Sequence, residues 1–105
     1  MRTTQRDMNY TRTVAGRVTG SNGAIIAGTG FTVERTGVGA YTIRLQPRTG
    51  AILSATATAE ASTYFVATVY SIGSEGTVSV GIYTTTTGTL ADVNFDFTVT
   101  ALERR

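Results

Sequence analysis

Between Gly28 and Leu45 apolar and polar residues alternate around glycines, a pattern that a helix cannot turn toward a single core. In GTGFTVERTGVGAYTIRL, Phe31 and Val33 fall on one side and Thr32 and Glu34 on the other. A pivot at Thr36-Gly37-Val38-Gly39 follows, and Tyr41, Ile43 and Leu45 then alternate with Thr42 and Arg44. A period of two interrupted by glycine predicts a half-buried β-hairpin. The alternation recurs at Val14, Gly16 and Val18, and at Val78, Val80 and Ile82. It is cleanest where Val93, Phe95, Phe97, Val99 and Ala101 interleave with Asp92, Asn94, Asp96, Thr98 and Thr100. Turn clusters separate these runs: Thr19–Gly23 with its Asn-Gly pair, Pro47–Gly50, and Ser74–Gly76. The alanines of Ala51–Ala61 favour a helix, but Leu53, Ala55, Ala57 and Ala59 alternate with polar residues, so this segment is also read as a strand.

About eight strands spaced roughly 8–12 residues apart predict an all-β fold, an antiparallel, jelly-roll-like β-sandwich. The chain has 105 residues, enough for one domain. Residues 1–11 read as an extended N-terminal arm and residues 12–105 as the sandwich domain. Threonine, with 22 copies, is the commonest residue; its branched side chain suits a pleated surface that faces water. Cysteine, histidine and lysine are absent. That removes disulfides, thiolate metal sites and the usual nucleophile–base pairs, and it makes every cation an arginine. Residues 1–17 carry a net +3, residues 18–102 a net −2 and residues 103–105 a net +1. The basicity therefore belongs to the two ends of the chain. Neither a signal-peptide core nor a run of membrane-spanning length is present, so the expectation is synthesis in a cytoplasm with no membrane partner.

The pattern G-x-G-F-T-V-x-R-T-G-x-G-x-Y-T-I within residues 16–46 resembles small β-sandwich domains of bacteriophage virion proteins, found at the tips of tail or fibre proteins and in standalone surface proteins. The likeness is looser over Asp92–Leu102 and absent from residues 1–11. It implies a structural protein on the virion surface, commonly a trimer, and it carries no catalytic residues.

Candidate chemistry is sparse. Asp92-Val93-Asn94-Phe95-Asp96, with Glu103 further on, matches much of a calcium loop. However, the glycine that such a loop needs at its sixth position is replaced by Phe97, so the expectation is a solvated strand face and no metal. Asp92 and Asp96 would stand roughly 13 Å apart along a strand, too far for a glycosidase pair. Glu34, Glu60 and Glu75 lie in separate segments that nothing in the sequence brings together. The glycines at Gly28, Gly30, Gly37 and Gly39 precede no helix and read as turn residues, not as a phosphate cradle. No catalytic residue and no cofactor are assigned, and an enzyme is disfavoured.

Binding is the better reading. Arg2, Arg6, Tyr10 and Arg12 form a basic arm suited to an acidic protein surface. A nucleic-acid partner is disfavoured because only one tyrosine, Tyr10, interleaves with the N-terminal arginines, whereas a basic single-strand binder usually sets aromatics on the sheet face as well. The segment Thr63–Ile72 is apolar on both faces, with Tyr64, Val66, Tyr70 and Ile72 expected on one outer face as a subunit interface of a homo-oligomer, a trimer being favoured. A chain that starts at Met1 with a short basic arm fits a capsid decoration (cement) protein bound to the major capsid protein or another virion protein. The alternative is a receptor- or carbohydrate-binding module of a tail fibre or tail tip. The loops contain no aromatic cluster for sugar stacking, which leans toward decoration.

Overall fold

The computed structural model describes residues 9–46, 51–60, 64–73 and 76–104. Its eight strands are β1 (Asn9–Val18), β2 (Ile25–Ala27), β3 (Phe31–Gly37), β4 (Ala40–Leu45), β5 (Ile52–Ala59), β6 (Phe65–Ile72), β7 (Thr77–Thr84) and β8 (Phe95–Arg104). They form two four-stranded sheets, β2-β1-β8-β5 and β3-β4-β7-β6, with every pairing antiparallel. The two sheets pack as a sandwich, the fold class that the alternation predicts. Hairpins supply β1–β2, β3–β4 and β6–β7, while the first strand pairs with the last along ten rungs from Asn9–Arg104 to Val18–Phe95.

Alternation fixes which residues meet inside. Val14, Val18, Phe95, Phe97, Val99 and Ala101 from one sheet face Phe31, Tyr41, Ile43, Leu45, Val78, Val80 and Ile82 from the other, and all are buried. Two aromatic pairs join the layers: Phe31 meets Phe97 edge-on at 4.8 Å between ring centres, and Tyr41 meets Phe95 tilted at 4.9 Å. Gly16 makes the first pair possible, because a Cβ there would collide with the Phe31 ring.

Three boundaries differ from the alternation reading. Strand β1 starts at Asn9, so Asn9, Tyr10 and Thr11 belong to the ladder and not to the arm. Their partners at the end of β8 supply the backbone bonds that a free arm would lack. Strand β8 starts at Phe95; before it the Asp92 side chain reaches across to Arg35, Tyr41 and the Gly39 amide of the other sheet, and Asn94 Oδ1 accepts from the Gly20 loop. In β5 a bulge between Ile52 and Ser54 leaves Leu53 exposed. The inward set there is Ile52, Ala55, Ala57 and Ala59.

Candidate interaction surface

The two sheets turn different outer faces to solvent. On the first, cross-strand rows read Thr13–Thr100–Ser54, Ala15–Thr98–Thr56 and Arg17–Asp96–Thr58. This face carries hydroxyls and one charged cluster. On the second, inward Val78, Val80 and Ile82 alternate with outward Ser79, Gly81 and Tyr83. Val66 stands opposite Tyr83, and Tyr83 bridges to Leu90, so these three form one apolar row. Beside it the row Gly37–Ala40–Gly81–Thr68 is built of small residues. The rings of Tyr83 and Tyr70 lean over that gap. A Cβ on Gly81 would lie 3.2 Å from Tyr83 Cε1 and 3.4 Å from Tyr70 Cδ1, so the two rings cover backbone that has no side chain of its own.

The expected interface residues are divided by a bulge. Tyr64, Val66 and Tyr70 are exposed at 59%, 46% and 55%. Tyr70, however, is the extra residue of a bulge between Val69 and Ser71. Past that point the pleat is out of step by one, and Ile72 sits opposite inward-facing Val78. Ile72 is exposed because it lies at the end of the strand, not because it shares a face with Tyr64 and Val66. Tyr83 and Leu90 complete the patch in its place, and reading β6 alone cannot find them.

β6 is also an edge strand without a charged residue or proline between Tyr64 and Gly73. The edge β5, which lies against it from the other sheet, is uncharged over Ile52–Ala59. The opposite side of the sandwich is protected differently, since β2 has three residues and β3 carries Glu34 and Arg35. Short length and charge are common guards against edge pairing; β5 and β6 have only their bulges.

The arm residues fare unevenly. Arg2 and Arg6 lie outside the described residues. Tyr10 stands in β1 opposite Glu103. Arg12 occupies an inward register position opposite Ala101, and its guanidinium donates to Gly30 O at 3.3 Å and Gln46 O at 2.6 Å. It closes one end of the sandwich and is part of the body.

At the other end the calcium-like segment has structural work. The Asp92 carboxylate accepts from Arg35 Nε and Nη2 (3.2 and 2.7 Å), from Gly39 N–H (2.8 Å) and from the Tyr41 hydroxyl (3.1 Å). The Arg35 bonds, the Gly39 amide and the Tyr41 hydroxyl hold the Asp92 pKa down at about 2. Tyr41 also reaches Gly20 O at 2.7 Å. Burial, reinforced by the Asp92 charge, pushes it up to about 12. Asn94 Oδ1 accepts from Gly20 N–H. One polar knot thus fixes three loops.

A second cluster corrects the expectation that no two carboxylates meet. Glu60, just past β5, lies beside Asp96, and the two carboxyls are placed to share a hydrogen bond once Asp96 holds a proton. Arg17 donates to both Glu60 oxygens at 2.7 and 3.0 Å and approaches Asp96 at 3.4 Å. Arg17 and the shared bond pull the Glu60 pKa down to about 2, while the same bond, burial and the Glu60 charge raise that of Asp96. The pair sits on an open sheet face. Among the described residues no pocket forms and no three His, Cys, Asp or Glu side chains gather as metal ligands.

The chain matches no protein-family model, no curated protein and no solved structure.

Proposed function

We propose that the protein is a non-enzymatic structural component of a bacteriophage particle, a capsid decoration protein that self-associates and attaches through its basic N-terminal segment. The observation that carries this reading is the uncharged β6 edge with Tyr64, Val66, Tyr70, Tyr83 and Leu90 gathered beside it. A contiguous apolar patch on one face of a small domain marks a protein contact, and an unguarded edge strand next to it favours a copy of the same chain. Ion pairs and loop ties spread over both ends suit a rigid display element. Trimeric assembly and a place on the virion surface are taken from the resemblance, and the major capsid protein as partner follows from the decoration reading.

A second reading has one observation in its favour. Tyr70 and Tyr83 over Gly81 form an open aromatic platform, the feature that sugar stacking uses and that the loops lack. A carbohydrate-binding module of a tail would use that face instead of hiding it between subunits. Antibody labelling of purified phage particles viewed by electron microscopy separates the two. Label over the head shell supports decoration, label at the tail tip supports the module, and particles without label overturn both.

A further inference from the structure

We infer that β6 pairs antiparallel with β6 of a second copy, in a register centred on Ala67, and that this contact closes the sandwich along its β5–β6 side. The inference rests on the self-association reading above and gives it a contact, a register and a symmetry.

The core stops short on that side. No residue of β5 or β6 is fully buried, although each strand has an inward set. Ala55, Ala57 and Ala59 from one edge and Phe65, Ala67 and Val69 from the other pack against the core but stay half-exposed. On the opposite side the edge strand β3 sinks Phe31 to 5% exposure. Apolar surface beside the core is therefore left in water along one seam, where burial would be favourable.

The backbone of β6 says what kind of partner fits. Thr85 N–H donates to Tyr64 O at 2.7 Å, so Tyr64 turns its peptide groups toward β7. Ile82, opposite Ala67, spends both of its groups elsewhere, on Gly39 O and on Ala91 N–H. Peptide groups alternate sides along a strand, so those of Phe65, Ala67 and Val69 point out from the sheet edge. Among the described residues no bond reaches them. Only another strand can satisfy such a row.

A second copy of β6 matches it. With Ala67 opposite Ala67, Phe65 of each copy meets Val69 of the other, and these three pairs exchange about six hydrogen bonds. Tyr64 of each copy then stands beside Tyr70 of the other, which joins the two exposed patches into one. No charge on either strand opposes the approach. The eight residues of β6 run about 26 Å, and two layers with their side chains span about 20 Å. The contact thus hides on the order of 500 Å² per copy, reaching about the 1,000 Å² in total that a specific interface needs. Growth ends at two copies, because the far edges are short β2 and charged β3. The symmetry is two-fold, a dimer where the resemblance implies a trimer.

The test is light scattering of the full chain from micromolar to millimolar concentration. Wild type should weigh twice the 11.1 kDa chain. Ala67→Pro removes an edge-facing N–H at a place where a strand accepts proline. It should halve the mass and keep the β-sheet circular dichroism. The chain has no cysteine, so Ala67→Cys gives a clean second measurement. Cα atoms of a hydrogen-bonded pair stand about 5.5 Å apart, within reach of a disulfide. Mild oxidation should link Ala67→Cys into dimers and leave Thr98→Cys, on the other sheet, unlinked. A wild type that is monomeric throughout overturns the pairing and the self-association reading together, and leaves the edge to a strand of another protein. A trimer, or a dimer in which Ala67→Cys does not link, keeps self-association and overturns the β6 pairing. A folded Ala67→Pro protein with the wild-type mass overturns it too. If Ala67→Pro does not fold, the linking of Ala67→Cys decides.

Discussion

Two residues show how much work a single position does in this sandwich. Phe95 is fully buried and meets Tyr41 across the layers. Phe95→Ala should cost about 3–5 kcal/mol, a large share of the roughly 5–15 kcal/mol that holds a small domain together. Melting within a few degrees of wild type would contradict the inter-sheet packing. Asp92 is a different case, because it serves Arg35, the Gly39 amide and the Tyr41 hydroxyl at once. Asp92→Ala should cost about 1–3 kcal/mol, the range for an amide left without its acceptor, and Arg35→Ala clearly less, since only the former strands the Gly39 N–H while Tyr41 keeps Gly20 O. Equal losses in denaturant unfolding would mean that the ion pair alone holds the knot. The role of Asp92 was not legible in the sequence. Spacing marks it as the start of an alternating strand, and only the return of the Gly39 loop beside Arg35 and Tyr41 shows what its oxygens accept. The core was legible, because alternation names inward residues without reference to which strands pair.

At the scale of elements the reading from sequence succeeds wherever the pleat is unbroken and fails at bulges. β4, β7 and the regular part of β8 present the residues that alternation assigns. In β6 the extra residue Tyr70 shifts every later position to the other face, and in β5 the bulge takes Leu53 out of the inward set that Ala55, Ala57 and Ala59 keep. A bulge is a property of two strands, so no single strand announces it. The same limit hides Glu60 beside Asp96 and Tyr83 beside Val66, contacts fixed by register and not by spacing. The β6 patch yields an element-scale prediction. Tyr70→Arg should leave the melting temperature nearly unchanged and reduce the particle mass seen by light scattering, because a charge on an interface core is costly. Thr98→Arg, on the hydroxyl face of the other sheet, should leave the mass as it is. Identical masses for wild type and Tyr70→Arg at micromolar concentration would remove the second face as the site of self-association.

For the molecule as a whole, the absence of histidine, cysteine and lysine leaves no side chain to titrate between the carboxylates and the tyrosines. Stability should therefore be level around neutrality, and its pH dependence should come from carboxyls pulled in opposite directions. Asp92 and Glu60 are each held down at about 2. Their stabilisation is complete above the ordinary carboxylate range and is lost as pH falls toward 2. Asp96 is raised by its bond to Glu60. It contributes stability that is complete below its ordinary value and is lost as pH climbs through its raised one. On acidification from neutral pH, Asp96 takes up its proton first, and the losses at Glu60 and Asp92 follow. The melting temperature should thus pass through a shallow maximum on the mildly acid side before the acid limb. Asp96→Asn should flatten that maximum while keeping the limb. Glu60→Gln should remove the maximum and shallow the limb, leaving the share due to Asp92. The experiment is a series of thermal melts in buffers of equal ionic strength, because both clusters are open to solvent and salt screens them. A wild-type melting temperature that only rises from the acid limb to neutrality, with Asp96→Asn superimposed on it, would mean that the two carboxyls do not share a proton in solution.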